Sequence, residues 1–187
     1  METTFRPPVD FVATLRTYLE LTKVRIVLLL LFTTMTAMVI AAGGVPPVMI
    51  LIPTLFGGAF AAAGSSAVNQ YLDRDLDARM SRTARRPIPS GRVAPLNALV
   101  FGLALIAWSV FILGVFVNWL AAALALGGSI YYILVYTVLL KRYTVVNILI
   151  GGGAGAMPVL VGWSAVTGSL SLQAFLLFAI VFYWTPP

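Results

Sequence analysis

The run "VRIVLLLLFTTMTAMVIAA" (residues 24–42) decides the solvent in which this chain folds. Its only charge is Arg25, at the very start. As a helix rising about 1.5 Å per residue it reaches roughly 28 Å, close to the thickness of a hydrocarbon core of about 30 Å. The run is too long for the apolar stretch of about 7–15 residues in a signal peptide. The leader before it holds Glu2, Asp10 and Glu20, unlike the acid-poor composition of a transit peptide. The rest of the chain reads the same way. Hydrophobic residues make up 60% and charged residues 10%, and the mean hydropathy is +0.99. A soluble domain carries about 25% charged residues. The sequence therefore predicts an integral membrane protein, all-α, folded as a polytopic transmembrane helix bundle.

Working outward from 24–42, apolar runs and their breakers predict six spans, near 24–42, 48–68, 95–115, 119–139, 144–164 and 171–187. The connections alternate in kind. "GGVPP" (43–47), "FVN" (116–118) and "TGSLS" (167–171) are uncharged, whereas the leader (with Arg25 at the mouth of the first span), the 69–92 loop and "KRY" (141–143) hold every ionisable group of the Lys, Arg, Asp and Glu set. Six spans put those three charged segments on one face, and the excess of Lys and Arg makes that face cytoplasmic. The expectation is a multi-pass protein of the cell inner membrane, with the N-terminus and the 69–92 loop in the cytoplasm. No ionisable group is then needed in mid-span, where an Arg would cost roughly 2.5–3.5 kcal/mol on an insertion scale.

Composition also limits the chemistry. The chain has no Cys and no His, which removes disulfides, thiolate nucleophiles, imidazole bases and the usual ligands of zinc, haem iron and iron–sulfur clusters. Carboxylates, amides, hydroxyls, Arg and Lys remain, and oxygen ligands suit Mg²⁺. The net charge of +6 is confined to one face, which argues for a lipid bilayer surface and anionic substrates and against nucleic acid.

The charge is densest in "NQYLDRDLDARMSRTARRPIPSGR" (69–92). Asn69, Asp73 and Asp77 stand at i, i+4 and i+8, so a helix running on from the second span places them on one stripe. Asp75 falls on another face, in reach of Arg79. Two carboxylates and an amide pointing one way are what Mg²⁺ takes when it keeps waters and binds a phosphorylated substrate. Arg82, Arg85 and Arg86 follow, and guanidinium forks match phosphate oxygens. The same residues also fit an Arg-rich loop that only fixes topology, with interleaved Asp neutralising it.

The stretch resembles the first aspartate-rich motif of the UbiA superfamily of intramembrane prenyltransferases, written N-x-x-x-D-x-x-x-D. It is most similar to the branch that farnesylates haem, the haem O synthases, whose form is D-R-D-x-D-x-x-M-x-R-T-x-x-R-P. "LTKVRIVLLLLFTT" (21–34), "YTVLLKRYTVVNILIGGGAGAMPVLVGW" (136–163) and "WTPP" (184–187) fit that branch in the same order. The resemblance implies Mg²⁺-dependent transfer of a farnesyl group from farnesyl diphosphate to a vinyl group of haem B, giving haem O. By that resemblance Asn69, Asp73 and Asp77 form the catalytic and metal-binding set. Lys23, Arg25, Arg82, Arg86 and Lys141 then bind diphosphate, with lipid-headgroup contact as the alternative role of such basic groups, and Asn147 fits either substrate contact or a helix–helix hydrogen bond. The four tryptophans, Trp108, Trp119, Trp163 and Trp184, read as interfacial or packing residues.

One departure stands out. The family carries a second Asp-rich motif and about nine helices, whereas no Asp or Glu follows Asp77 here. The resemblance therefore implies a single membrane domain over 1–187, the N-terminal part of a UbiA-type fold, with 69–92 as its catalytic loop. As such a part it is expected to insert but to be inactive alone. Two other readings stay open at this point: another UbiA-type aromatic, quinone or chlorophyll prenyltransferase, and a non-catalytic membrane binder of prenyl lipid or haem.

Overall fold

The computed structural model describes residues 11–140 and 147–184. Among them the chain forms α1 (Phe11–Thr22), α2 (Val24–Ala42), α3 (Val48–Leu72), α4 (Arg74–Arg79), α5 (Pro95–Phe116), α6 (Trp119–Ile130), α7 (Asn147–Thr167) and α8 (Leu172–Trp184). A π-helical segment, Tyr131–Leu140, continues α6. Four of these are long and apolar enough to cross a membrane: α2, α3, α5 and the stretch Trp119–Leu139. The 21-residue α7 and the 13-residue α8 are also mostly apolar and carry no Asp, Glu, Lys or Arg.

The breakers act through specific backbone chemistry. Gly43 ends α2 in the left-handed region at φ 64, where the Gly43 and Gly44 N–H groups bond the carbonyls of Ile40 and Val39. That geometry satisfies carbonyls the helix end would otherwise leave open. Pro95 opens α5 at a position where its missing N–H costs nothing. Asn118 caps α6, accepting from the Ala121 N–H at 2.8 Å, while its Nδ2 donates to the Ser164 carbonyl of α7 at 2.9 Å. The uncharged loop "FVN" thus both starts a helix and ties two of them.

Small residues fill the inside and large ones cover the outside. The buried core includes Ala37, Ala61, Ala63, Ala67, Ala121, Ala122, Ala125 and Ala156, whereas Leu28, Leu29, Phe32, Leu103, Phe111, Leu176 and Ile180 are exposed. This inversion suits lipid, where close backbone approach stabilises helix pairs and exposed apolar side chains carry no penalty. The crossing of α3 and α5 is a reciprocal case, with a glycine on each helix. A Cβ built on Gly64 would lie 2.5 Å from the Gly102 carbonyl oxygen, and one on Gly102 would lie 2.8 Å from the Gly64 oxygen. Of the tryptophans, Trp163 is buried and Trp108, Trp119 and Trp184 are exposed, as packing and surface roles require.

Two elements are absent from the sequence reading. The leader forms α1, a helix with Leu21 fully buried and Tyr18 packed edge-on to Phe101 at 5.0 Å, while Phe11, Leu15 and Leu19 face outward. The second is the π segment, where the Thr137 hydroxyl donates to the Tyr132 carbonyl five residues back. Propensity at "YYILVYTVLL" gives no sign of it, because α and π turns use the same apolar residues.

Candidate active site

The charged ends of α1, α3 and the π segment converge on one cluster. It begins at the join of α1 and α2. Lys23 adopts φ 52, ψ 55 and is the only non-glycine residue at positive φ among those described. For an L-residue that conformation costs about 1–2 kcal/mol. The surroundings impose it: Ser66 Oγ and Gln70 Nε2 of α3 both donate to the Leu21 carbonyl, each at 2.9 Å. These bonds cap the last turn of α1 and turn the chain, and Lys23 is thereby aimed inward. Its Nζ donates to Asn69 Oδ1 at 3.4 Å.

Asn69 is the hub. Its Nδ2 donates to Asp73 Oδ2 and to Thr137 Oγ1 of the π segment, both at 3.0 Å. Three parts of the chain therefore meet on one amide, Lys23 from 46 residues before it and Thr137 from 68 residues after it. The expected stripe survives a break in the helix. α3 stops at Leu72, yet the Asp73 N–H bonds the Asn69 carbonyl at 2.9 Å and the Asp77 N–H bonds the Asp73 carbonyl at 2.8 Å. The i, i+4 register thus runs through the turn into α4. Asn69, Asp73 and Asp77 are 2%, 1% and 4% exposed. Carboxylates so buried are costly without compensating partners, which distinguishes them from charges that merely decorate a loop.

Arg86 supplies one partner. Its Nη1 lies 2.6 Å from Asp77 Oδ2, and Thr83 Oγ1 donates to the Asp77 carbonyl at 2.9 Å. Both contacts fold the 80–93 segment back over α4. Arg92 bonds Glu20 at 2.7 Å and the Arg85 carbonyl at 2.8 Å, tying the segment to α1. The Arg92 hydrogen bond holds the Glu20 carboxyl below its usual pKa, with burial opposing it weakly.

Of the residues singled out in the sequence, Asn69, Asp73, Asp77, Lys23 and Arg86 come together. Arg25 and Arg82 are exposed. Asn147 is the first residue of α7, and Lys141 lies outside the described residues. The expected pairing of Asp75 with Arg79 is replaced. Asp75 is exposed and lies 3.9 Å from Arg74, whose guanidinium sits over the Tyr71 ring at 4.6 Å. The break at Asp73 shortens α4 to a turn and a half, so neighbours compete with the i+4 partner.

Thr137, Ser66 and Gln70 were missed. Their one sequence signal is that each is a polar residue at the charged end of an apolar span. Below the cluster lies a cavity of about 370 Å³, with Lys23, Tyr132 and Tyr136 at its polar end and Leu30, Thr34, Met157 and Val161 deeper. The lining is overwhelmingly apolar. Lys23 at one end of a greasy cavity, joined through Asn69 to the buried Asp73, can hold a charged head while an apolar tail is sheltered from water.

Fold and site together define a polytopic helical membrane bundle with an acidic cluster at one end of an apolar cavity. The chain belongs to the UbiA prenyltransferase family, whose match covers residues 30–187. It is 54% identical to a protoheme IX farnesyltransferase of Nostoc sp. over 95% of its own length and 56% of that protein's. It is 48% identical to the protoheme IX farnesyltransferase of Streptomyces coelicolor, over the same shares. The chain thus spans about half the length of the curated relatives it matches. Among solved structures, a digeranylgeranylglyceryl phosphate synthase superimposes with a TM-score of 0.80 at 22% identity, covering 91% of this chain and 59% of that one. A UbiA homologue from Archaeoglobus fulgidus bound to DMAPP and Mg²⁺ gives 0.72 at 21% identity, covering 90% and 60%. At such identities the likeness establishes the fold.

Proposed function

We propose that the protein transfers a farnesyl group from farnesyl diphosphate to a vinyl group of haem B, producing haem O. The observation that carries this reading is that the half-buried Lys23, which lines the polar end of the apolar cavity, bonds Asn69, which in turn holds the buried Asp73. The names of the relatives, at about half identity, supply the acceptor.

The donor set fits Mg²⁺. It is all oxygen, and Mg²⁺ uses one or two carboxylates with water and phosphate oxygens completing the shell. Among the described residues no group of three or more acidic side chains gathers, so Asp73 and Asp77 would hold the ion. Asn69 fixes the Asp73 carboxylate through Nδ2 and offers Oδ1 as a further oxygen. When bound, the ion offsets the charge of the departing diphosphate. Lys23, Arg86 and the exposed Arg25 and Arg82 bind its phosphate oxygens, with Lys141 and Asn147 as further diphosphate ligands. In the reaction the allylic C–O bond breaks and diphosphate leaves with the electron pair. The vinyl π electrons form the new C–C bond, and water adds to the resulting haem-side cation with loss of a proton. The apolar walls keep water from the allylic carbon before the acceptor reaches it.

The test is to supply Mg²⁺, farnesyl diphosphate and haem B to detergent-purified protein of the relatives' full length and identify the product by mass. Haem O is expected. Release of diphosphate with no haem adduct would remove haem as the acceptor. The 187-residue chain, assayed alongside, is expected to insert but not turn over.

The charged face is placed in the cytoplasm of the inner membrane on the strength of its Lys and Arg excess. Single cysteines at Val45 and Ser90, both exposed, are expected to label from opposite sides. Labelling of both by an impermeant reagent added outside would reverse that assignment.

A further inference from the structure

Resting on the diphosphate reading above, we infer that Met38 forms the floor of the cavity and sets the length of isoprenyl chain the protein accepts. The cavity lining runs down α2 from Lys23 to Thr34. At about 1.5 Å per residue those positions are separated by roughly 16 Å. On α7 the lining runs from Gly151 to Val161, again about 15 Å. A chain of three isoprene units, with four main-chain bonds of about 1.5 Å in each, extends roughly 15 Å when zigzagged. With the diphosphate at Lys23, three units reach the level of Thr34 and a fourth does not fit.

Several observations close the bottom at that level. Met38 stands one turn below Thr34 on α2 and is fully buried. It packs in one apolar cluster with Ala61, Ala125 and Val161, and these three also line the cavity. The methionine therefore lies directly beneath the lining. There is no side exit at this depth between α2 and α7, because a Cβ on Gly162 would collide with the Thr34 carbonyl oxygen. Thr34 does not offer a polar contact either, since its hydroxyl donates to the Leu30 carbonyl of its own helix at 3.0 Å. The four residues from Thr34 to Met38 rise about 6 Å, close to one isoprene unit of about 5 Å. Removing the Met38 side chain should deepen the cavity by one unit.

The opposite change is available at Gly58. It lines the cavity, and a Cβ there meets only Leu31 Cδ2, at 3.6 Å, an ordinary contact. A leucine at this position can occupy the lowest part of the cavity without disturbing the backbone.

The experiment measures binding of geranyl, farnesyl and geranylgeranyl diphosphates to the full-length protein in detergent with Mg²⁺, without haem. Wild type is expected to prefer the three-unit chain. Met38→Ala should raise affinity for the four-unit chain relative to the three-unit chain at least tenfold. Gly58→Leu should shift preference toward the two-unit chain by a similar factor. Equal binding of all three chains by wild type, unchanged ratios in a Met38→Ala protein that still binds the three-unit chain, or unchanged ratios in a Gly58→Leu protein that still binds, would overturn the assignment. Because binding is read without an acceptor, failure to make haem O would sink the proposed reaction while leaving this result standing.

Discussion

Asp73→Asn and Asp77→Asn, made in protein of the relatives' full length, are each expected to lower farnesyl transfer by about 100-fold or more, whereas Asp75→Asn should change it little. The three carboxylates lie within five residues, so the contrast tests geometry, not local composition. Asp73 and Asp77 are 1% and 4% exposed, and on the proposed reading they would hold the Mg²⁺ that offsets the diphosphate charge. Asp75 is exposed and lies near Arg74 on the outer side. Loss of one carboxylate of the proposed metal site would weaken stabilisation that matters most as the leaving group departs. The Asp77 change also releases Arg86 from its 2.6 Å contact, so it should loosen the 80–93 segment as well. Transfer rates at saturating farnesyl diphosphate, with membrane insertion checked separately, decide the matter. Equal losses at Asp73 and Asp75 would mean that the buried stripe has no special role.

Gly64→Ala is expected to lower the unfolding temperature in detergent substantially, although alanine is the better helix former by about 1 kcal/mol. The added methyl would sit 2.5 Å from the Gly102 oxygen and 2.8 Å from Ile106 Cγ1. Backbone cannot yield as a flexible side chain does, so α3 and α5 must separate. Overpacking of this kind costs about 1–3 kcal/mol, which outweighs the gain in propensity. The consequence reaches the site, since Ser66, Asn69 and Gln70 stand within two turns above Gly64 on α3. Gly155→Ala is the matched control, a helical glycine on α7 with nothing within 4 Å of a built Cβ. It should melt with wild type or slightly above. If Gly64→Ala behaves like Gly155→Ala, the close crossing of α3 and α5 is not what holds this pair together.

The sequence alone determined the solvent, the helical class and the stripe. Hydrocarbon demands that every backbone group be bonded within its own segment, so an apolar run of span length has one outcome, a helix. The α2 boundaries follow directly from "VRIVLLLLFTTMTAMVIAA" and the glycines after it. The spacing of Asn69, Asp73 and Asp77 fixes their common face because hydrogen bonding four residues apart persists even where the helix breaks at Asp73. Tertiary structure decided which groups meet that face. Thr137 reaches Asn69 across 68 residues, and only the approach of the π segment to α3 selects it over other polar residues at span ends. The left-handed turn at Lys23 likewise depends on Ser66 and Gln70 gripping the end of α1. Local propensity opposes that conformation. Arg86, one of several arginines indistinguishable by composition, becomes the partner of Asp77 because Thr83 folds its segment back. Periodicity and hydropathy are properties of one helix in one solvent; the pairing of groups between helices depends on the packing of small residues that lets those helices approach.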